Sequence, residues 1–439
     1  MEKKKYGLFT SIGMIVGIVI GSGIFFKSDN ILVATNGSIF LGVLVFCIAA
    51  FGIIFGSLSI AELASRDSKA GGIITYAENS YNKKIGGALG WFHSFLYYPT
   101  LTAVVAWVAG VYFCILFGIE GNLLIETLIG LLIIIILYGI NIIAKIIGGY
   151  FQNLSTIIKI IPLILIAIVG VFFGDANEIR LSDLVRNESM LWISAIAPIA
   201  FSFDGWIIST SIAHEIKDSK KNLPKALIVA PLFILAIYVL YFVGISMYLG
   251  PDQIMALGDA HVDVVANNIF GAFGAKIIIA FVFISILGTV NGLIMGSIRM
   301  PYSLAIRNMI PKSDLISKVD KRFELPINSA ILSFVISIFF LLLHYIIQKF
   351  NLMPNGDISE ISITVNYGLY ILLYYKVFKM GLNKEIKGVW RGKINPILAT
   401  LGSLIILVGG CINPLFSLYL AICLTILVVA YLYTAKNAN

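Results

Sequence analysis

Charge is what this 439-residue chain has least of: Asp, Glu, Lys and Arg make up 12%, about half the share of a soluble domain. Hydrophobic residues make up 59% and mean hydropathy is +0.96. That balance excludes an ordinary water-soluble fold and places the chain among all-α proteins that cross a bilayer repeatedly. Cysteine is also rare. Cys47, Cys114, Cys411 and Cys423 fall within or at the edge of apolar runs and no pair frames an outside loop, so no structural disulfide is expected. The four histidines, His93, His214, His261 and His344, lack ligand spacing, which argues against a metal site. No G-x-x-x-x-G-K-[ST] loop occurs and no polar stretch is long enough for a nucleotide-binding domain, which excludes ATP-driven pumping within the chain. No nucleophile or metal constellation suggests an enzyme, and no cofactor is expected.

What remains is apolar runs. A spanning helix needs about 20 apolar residues, and twelve candidates lie near 8-26, 38-62, 86-117, 122-144, 154-173, 191-213, 226-249, 277-297, 328-347, 359-375, 395-412 and 414-434. The last two are separated by Asn413-Pro414, a tight hairpin. Met1 to Tyr6 is basic like a signal peptide, but no small-residue cleavage site follows, so the first run is expected to be a retained span. Most Lys and Arg residues fall in alternate loops, which predicts cytoplasmic N- and C-termini in a cell membrane protein. The net charge of +8 then needs no nucleic acid, because the basic loops face anionic lipid.

Three spans carry chemistry. The first reads Gly13-x3-Gly17-x3-Gly21-Ser22-Gly23-Ile24-Phe25, where glycines four apart make a packing stripe. Gly-Ser-Gly also weakens the helix; if it unwinds, its bare amides and a half-helix N-terminus suit a carboxylate. The sixth reads Pro198-Ile-Ala-Phe201-Ser202-Phe203-Asp204-Gly205-Trp206, either a kinked packing helix with a satisfied Asp or a second break. Interrupted helices in corresponding positions of two five-span halves point to a transporter's site. The fifth span holds Lys159, the one basic residue that cannot be placed outside an apolar run. An ammonium at a helix centre costs at least about 2.5 kcal/mol on insertion scales. If the helix starts near Leu154 the side chain can snorkel to the surface; if it starts nearer Ile146, Lys159 is mid-span and needs internal partners.

The string His214-Glu215-Ile-Lys217-Asp-Ser-Lys220-Lys221-Asn222-Leu223-Pro224-Lys225 follows the sixth span. Together with Gly21-Ser22-Gly23-Ile24-Phe25, Ala61-Glu62-Leu63, Gly71-Gly72, Gly90-Trp91, Gln152-Asn153 to Lys159, Phe201 to Trp206, Asn291-Gly292, Arg299 and Ile310-Pro311, it resembles the amino acid-polyamine-organocation superfamily. Within that superfamily the chain is similar to bacterial members of the L-type amino acid transporter family, including serine/threonine and alanine/serine/cysteine exchangers.

The resemblance implies a leucine-transporter-type fold of twelve transmembrane helices, with five-plus-five inverted repeats (1-173 and 191-380) and two peripheral helices (393-434). It implies a substrate α-carboxylate on the amides of Gly21, Ser22 and Gly23. The ammonium would lie on freed carbonyls of Val19, Phe201, Ser202 and Asp204, within the broken Phe201, Ser202, Phe203, Asp204 run, with Phe201 capping from outside. Lys159 would stand where sodium-coupled relatives bind an ion, with Gly17 and Ser285 or Thr289 as its partners. The implied activity is sodium-independent exchange of small neutral L-amino acids; proton-coupled symport through Lys159 and cationic amino acid or polyamine transport are the alternatives. A non-transporting amino acid sensor would keep the same pocket. Glu62 and Glu215 are expected to pair with basic loops, and Tyr238 and Tyr241 to be interfacial or core packing. The loop Phe117 to Asn122 lacks the cysteine that links related chains to a heavy subunit, so no disulfide-linked partner is expected. His214 replaces the first residue of a familiar acidic pair, which raises pH-sensitive gating as a question.

Overall fold

The computed structural model describes residues 7–67, 71–143, 145–179, 190–353, 356–413 and 415–437. Among these the architecture is all-helical, and β pairing is limited to isolated bridge residues, such as Asp320 paired with Leu325. Among the described residues, ten helices are long and apolar enough to cross a membrane. Most follow the apolar runs closely: Ile39–Ala64, Leu123–Ile143, Ile327–Lys349, Asn395–Cys411 and Phe416–Asn437 differ from the sequence boundaries by a few residues. Ser38 caps the first of these by accepting the amide of Leu41 at 3.2 Å.

The informative differences are at the three spans singled out above. The predicted 8-26 run is two helices, Leu8–Val19 and Ser22–Ala34, each too short to be counted as a crossing by itself. The fifth apolar span stands at Leu154–Phe173 as read, but it lies within a longer helix, Lys145–Phe173. The sixth is a 3-10 turn Met190–Ala195, an α-helix Ile196–Phe203, a break, and a 3-10 stretch Trp206–Glu215. The eighth helix, read as 277-297, extends over His261–Ala305 with a kink at Gly271. Helices outrun their apolar cores because interfacial polar residues still satisfy the backbone ladder, and hydropathy records only the hydrocarbon part.

Small residues let these helices approach closely. The Lys145–Phe173 helix packs against Ser219–Leu249 where Gly170 meets the Gly244 backbone, and Ile39–Ala64 packs against Asn395–Cys411 where Gly402 meets Gly52. The interior is rich in fully buried tyrosines, including Tyr97, Tyr98, Tyr112, Tyr238 and Tyr367, whereas Leu418, Leu424, Val428 and Leu432 of the last helix face outward. On the basic end, Glu62 pairs with Arg66 at 3.0 Å and with Arg391 at 2.7 Å. The side chains of His214 and Glu215 lie outside the described residues.

Candidate functional site

The first helix ends because the backbone turns extended at Ile20 (φ −71°, ψ 107°) and Gly21 (φ −160°, ψ −132°) before Ser22 restarts it. Gly21, the N-cap residue, has no side chain with which to cap the new N-terminus, and the opening N–H groups of a helix have no intrahelical acceptor. The Gly21, Ser22 and Gly23 amides therefore belong to a bare, positively polarised helix end.

On the other side of the break, carbonyls are left over. In an unbroken helix Gly17 and Ile20 would accept from residues four further on; here both accept from Lys159. Its Nζ donates to Gly17 at 2.5 Å and to Ile20 at 2.6 Å. Lys159 is the central residue of its 29-residue helix, about 21 Å from either end, and is 0% exposed. The snorkelling alternative therefore does not describe this structure. The hydroxyl of Thr156, one turn earlier, adds a 3.2 Å bond to the Gly13 carbonyl. Ser285 and Thr289 are not hydrogen-bond partners of Lys159. Thr289 instead reaches the same Ile20 carbonyl at 3.4 Å, and the buried Ser285 hydroxyl has no partner among the described residues. The Ile20 carbonyl carried no sequence signal, because a backbone acceptor becomes available only through the break.

The sixth span breaks beside the first. Asp204 is extended (ψ 167°) and Gly205 takes φ +94°, a left-handed conformation that a side chain would strain. The close approach of the two breaks is set at Gly23, where a Cβ would stand 2.6 Å from the Cα of Ser202. The buried Asp204 carboxyl accepts from the Tyr97 hydroxyl at 2.5 Å through Oδ2, while Oδ1 has no hydrogen-bond partner among the described residues. The Phe201 carbonyl is used by the Asp204 amide at 3.0 Å.

Two expectations change here. Tyr238 is neither interfacial nor mere packing: its hydroxyl donates towards both freed carbonyls, Val19 at 3.1 Å and Ser202 at 2.9 Å, and so bridges the two breaks. Nothing in its apolar surroundings distinguished it in sequence, since the bridge exists only where three helices meet. Phe203 turns away from the site, its ring against Phe46 (6.2 Å) and Tyr238 (5.1 Å). Tyr241 is core, edge-on to Phe25.

Val19, Gly23, Phe201, Asp204, Gly205 and Thr289 line one small cleft together with Ile18, Leu101, Val105 and Leu293. Its free space is about 20 Å³, room for about one water, so the two breaks leave little unfilled space between them. Leu101, Val105 and Leu293 were not singled out from sequence; as apolar residues in apolar helices they carry no local mark.

Paired broken helices around a cleft that offers amides, carbonyls and a carboxylate define a membrane transport site. The comparisons with known proteins agree. The chain belongs to the amino acid permease family, whose model matches residues 6–432. It is 30% identical over 430 residues to the serine/threonine exchanger SteT of Bacillus subtilis (strain 168), covering 96% of this chain and 94% of that protein. It is 26% identical over 328 residues to the human large neutral amino acids transporter small subunit 2, covering 70% of this chain and 59% of that one. The match to the human Asc-type amino acid transporter 1 is 25% over 347 residues, 74% of this chain and 63% of the other. The resemblance read from the sequence is borne out, and the chain is a multi-pass transporter of the amino acid permease family rather than an enzyme.

Proposed function

We propose that this protein exchanges small neutral L-amino acids across the cytoplasmic membrane by alternating access, without sodium. The observation that carries this reading is Lys159: a buried ammonium sits on Gly17 and Ile20, carbonyls that the first break releases. A fixed cation at that point replaces a bound one, so no metal ion is required to hold the broken helix. The amides of Gly21, Ser22 and Gly23 receive the substrate carboxylate. The carbonyls of Val19 and Ser202, now held by Tyr238, receive its ammonium when the tyrosine hydroxyl gives way. Phe201 covers the bound molecule, and the apolar walls from Leu101, Val105 and Leu293 suit a short uncharged side chain.

The same reading takes twelve crossings, the first and sixth each made of broken pieces, and two inverted five-span halves within 1-173 and 191-380. Reciprocal packing supports it: helix Leu8–Val19 contacts Ser219–Leu249, and helix Ile196–Phe203 contacts its counterpart Ile39–Ala64. Both termini are taken as cytoplasmic, the peripheral helices span 393-434, and the protein works without a disulfide-linked heavy subunit.

The test is uptake into proteoliposomes. Labelled serine, threonine or alanine should enter equally well with sodium or choline outside, and several-fold faster when amino acid is preloaded inside. A sodium requirement overturns the role of Lys159; accumulation in empty vesicles under an inward proton gradient favours proton-coupled symport.

One observation favours a second reading. Asp204 lines the cleft and keeps Oδ1 without a hydrogen-bond partner among the described residues, which suits a cationic amino acid or polyamine. Asp204→Asn preserves shape and removes charge. Neutral amino acid exchange should fall less than about tenfold, because a buried hydrogen bond from Tyr97 is weakened but not lost. If the native protein takes up lysine or putrescine in preference to serine, and the variant loses that uptake, the cationic reading is correct.

A further inference from the structure

Between helices Ser359–Leu382 and Asn395–Cys411, far along the chain from the breaks, lies a groove of about 210 Å³. One wall carries Ile371, Tyr375 and Phe378, the other Ile397, Thr400 and Leu401. The lining is almost wholly apolar, and the Thr400 hydroxyl is already committed to the Pro396 carbonyl at 2.8 Å. Tyr375, Ile397 and Leu401 are half exposed, so the groove opens sideways, where a membrane protein meets acyl chains.

Both walls run to a cation at the same end. On a helix, residues three and four apart share a face; Ile371, Tyr375 and Phe378 therefore continue into Lys379. The facing wall, Leu401 and Ile397, continues back to Lys393 in the turn Trp390–Ile394 that opens its helix. Neither lysine forms an ion pair among the described residues, unlike Arg391 between them, which is held by Glu62. Trp390 and Tyr375 are exposed aromatics at this end, the residues that mark a membrane interface.

The geometry points to a phospholipid site: one acyl chain lies in the groove and an anionic headgroup sits between Lys379 and Lys393. The charge of the two lysines selects the headgroup, and the bare apolar walls select the chain. This end is the one that the basic loops assign to the cytoplasm, so the lipid comes from the inner leaflet, where anionic lipids attract Lys and Arg. The site does not depend on which amino acid is carried. It does touch the transport machinery, because Tyr374 on the groove wall packs onto Gly56 of helix Ile39–Ala64, which in turn contacts the broken sixth span.

The experiment is native mass spectrometry and thermal melting of the purified, delipidated full chain, with phosphatidylglycerol or phosphatidylcholine of identical chains added. Phosphatidylglycerol should bind about tenfold more tightly and raise the melting temperature more. The double variant Lys379→Gln, Lys393→Gln, two exposed or half-exposed positions whose loss leaves the core intact, should erase that preference and keep serine exchange. Thr400→Trp, which fills the groove, should reduce adducts of both lipids. Equal binding of the two lipids by the native chain overturns the proposal. So does a preference that survives the double variant, unchanged adducts with Thr400→Trp, or a concentration-dependent dimer disrupted by Thr400→Trp, which would mean that a second copy covers the groove.

Discussion

The two broken helices solve the same problem in opposite ways. At the first break the protein supplies part of the missing partner itself: Lys159 closes on Gly17 and Ile20 before any ligand arrives, while the Val19 carbonyl is left to share Tyr238. At the sixth, the groups are left short. Asp204 Oδ1 has no hydrogen-bond partner within ordinary geometry among the described residues, and the Ser202 carbonyl shares a single tyrosine proton with Val19. One O–H cannot satisfy two carbonyls fully, whereas an ammonium has three donors. The comparison assigns different work to the two sites: the Lys159 side fixes the geometry of the first helix, and the opposing side waits for a ligand with donors to spare.

Lys159→Ala attacks the satisfied side and should have the largest effect. It deletes two charge-assisted hydrogen bonds, each worth about 1.5–3 kcal/mol, but also relieves the desolvation of a buried ammonium. Stability should therefore change modestly while the outward–inward equilibrium shifts. Exchange in proteoliposomes should fall at least about tenfold, with unequal changes in apparent affinity on the two membrane faces. Lys159→Arg retains charge but brings a planar fork to a space shaped for a compact ammonium, and should rescue only partly. Normal exchange and symmetric affinities in the alanine variant would erase the distinction between the two breaks.

Gly23→Ala tests where they meet. Replacing glycine in a helix favours folding by about 1 kcal/mol, but the new methyl group would stand 2.6 Å from the Ser202 backbone. Backbone cannot rotate away, so overpacking of about 1–3 kcal/mol should win. Sequence reasoning alone favours near-intact expression and an effect confined to ligand binding; the structure instead predicts a lower melting temperature as well as loss of the stabilisation that added serine gives. An unchanged melting temperature, measured by dye-based thermal shift, would place the breaks further apart than they stand here.

The smallest effect should come from Tyr238→Phe. The ring contacts with Phe46 and Phe203 survive, and only the shared hydroxyl is lost. A net hydrogen bond is worth about 1 kcal/mol, so apparent substrate affinity should change by no more than about fivefold. If Tyr238 competes with the substrate ammonium for Val19 and Ser202, affinity should rise; a fall of comparable size would make the tyrosine a scaffold for the site instead of a placeholder within it.

Much of this was written locally. Hydropathy alone determined that the chain crosses a membrane many times, because burying apolar surface in lipid depends on composition along the chain and little else. The weak points in the first and sixth spans were also legible, since Gly-Ser-Gly and Phe-Asp-Gly fail as helix by their own chemistry. Lys159 announced itself by its cost. The rest was decided by the tertiary structure. Whether Lys159 snorkels or bonds inward turned on where its helix begins, which hydropathy does not mark. Its second acceptor, the Ile20 carbonyl, exists only because the helix breaks. The role of Tyr238 depends on three separate segments meeting at one hydroxyl, and Phe203, the last residue of its helix, packs its ring on Phe46 and Tyr238 instead of lining the cleft. Local sequence determines where a helix cannot continue; only packing determines which distant group satisfies the backbone it releases, because each such group must be bonded to something and the chain offers many candidates.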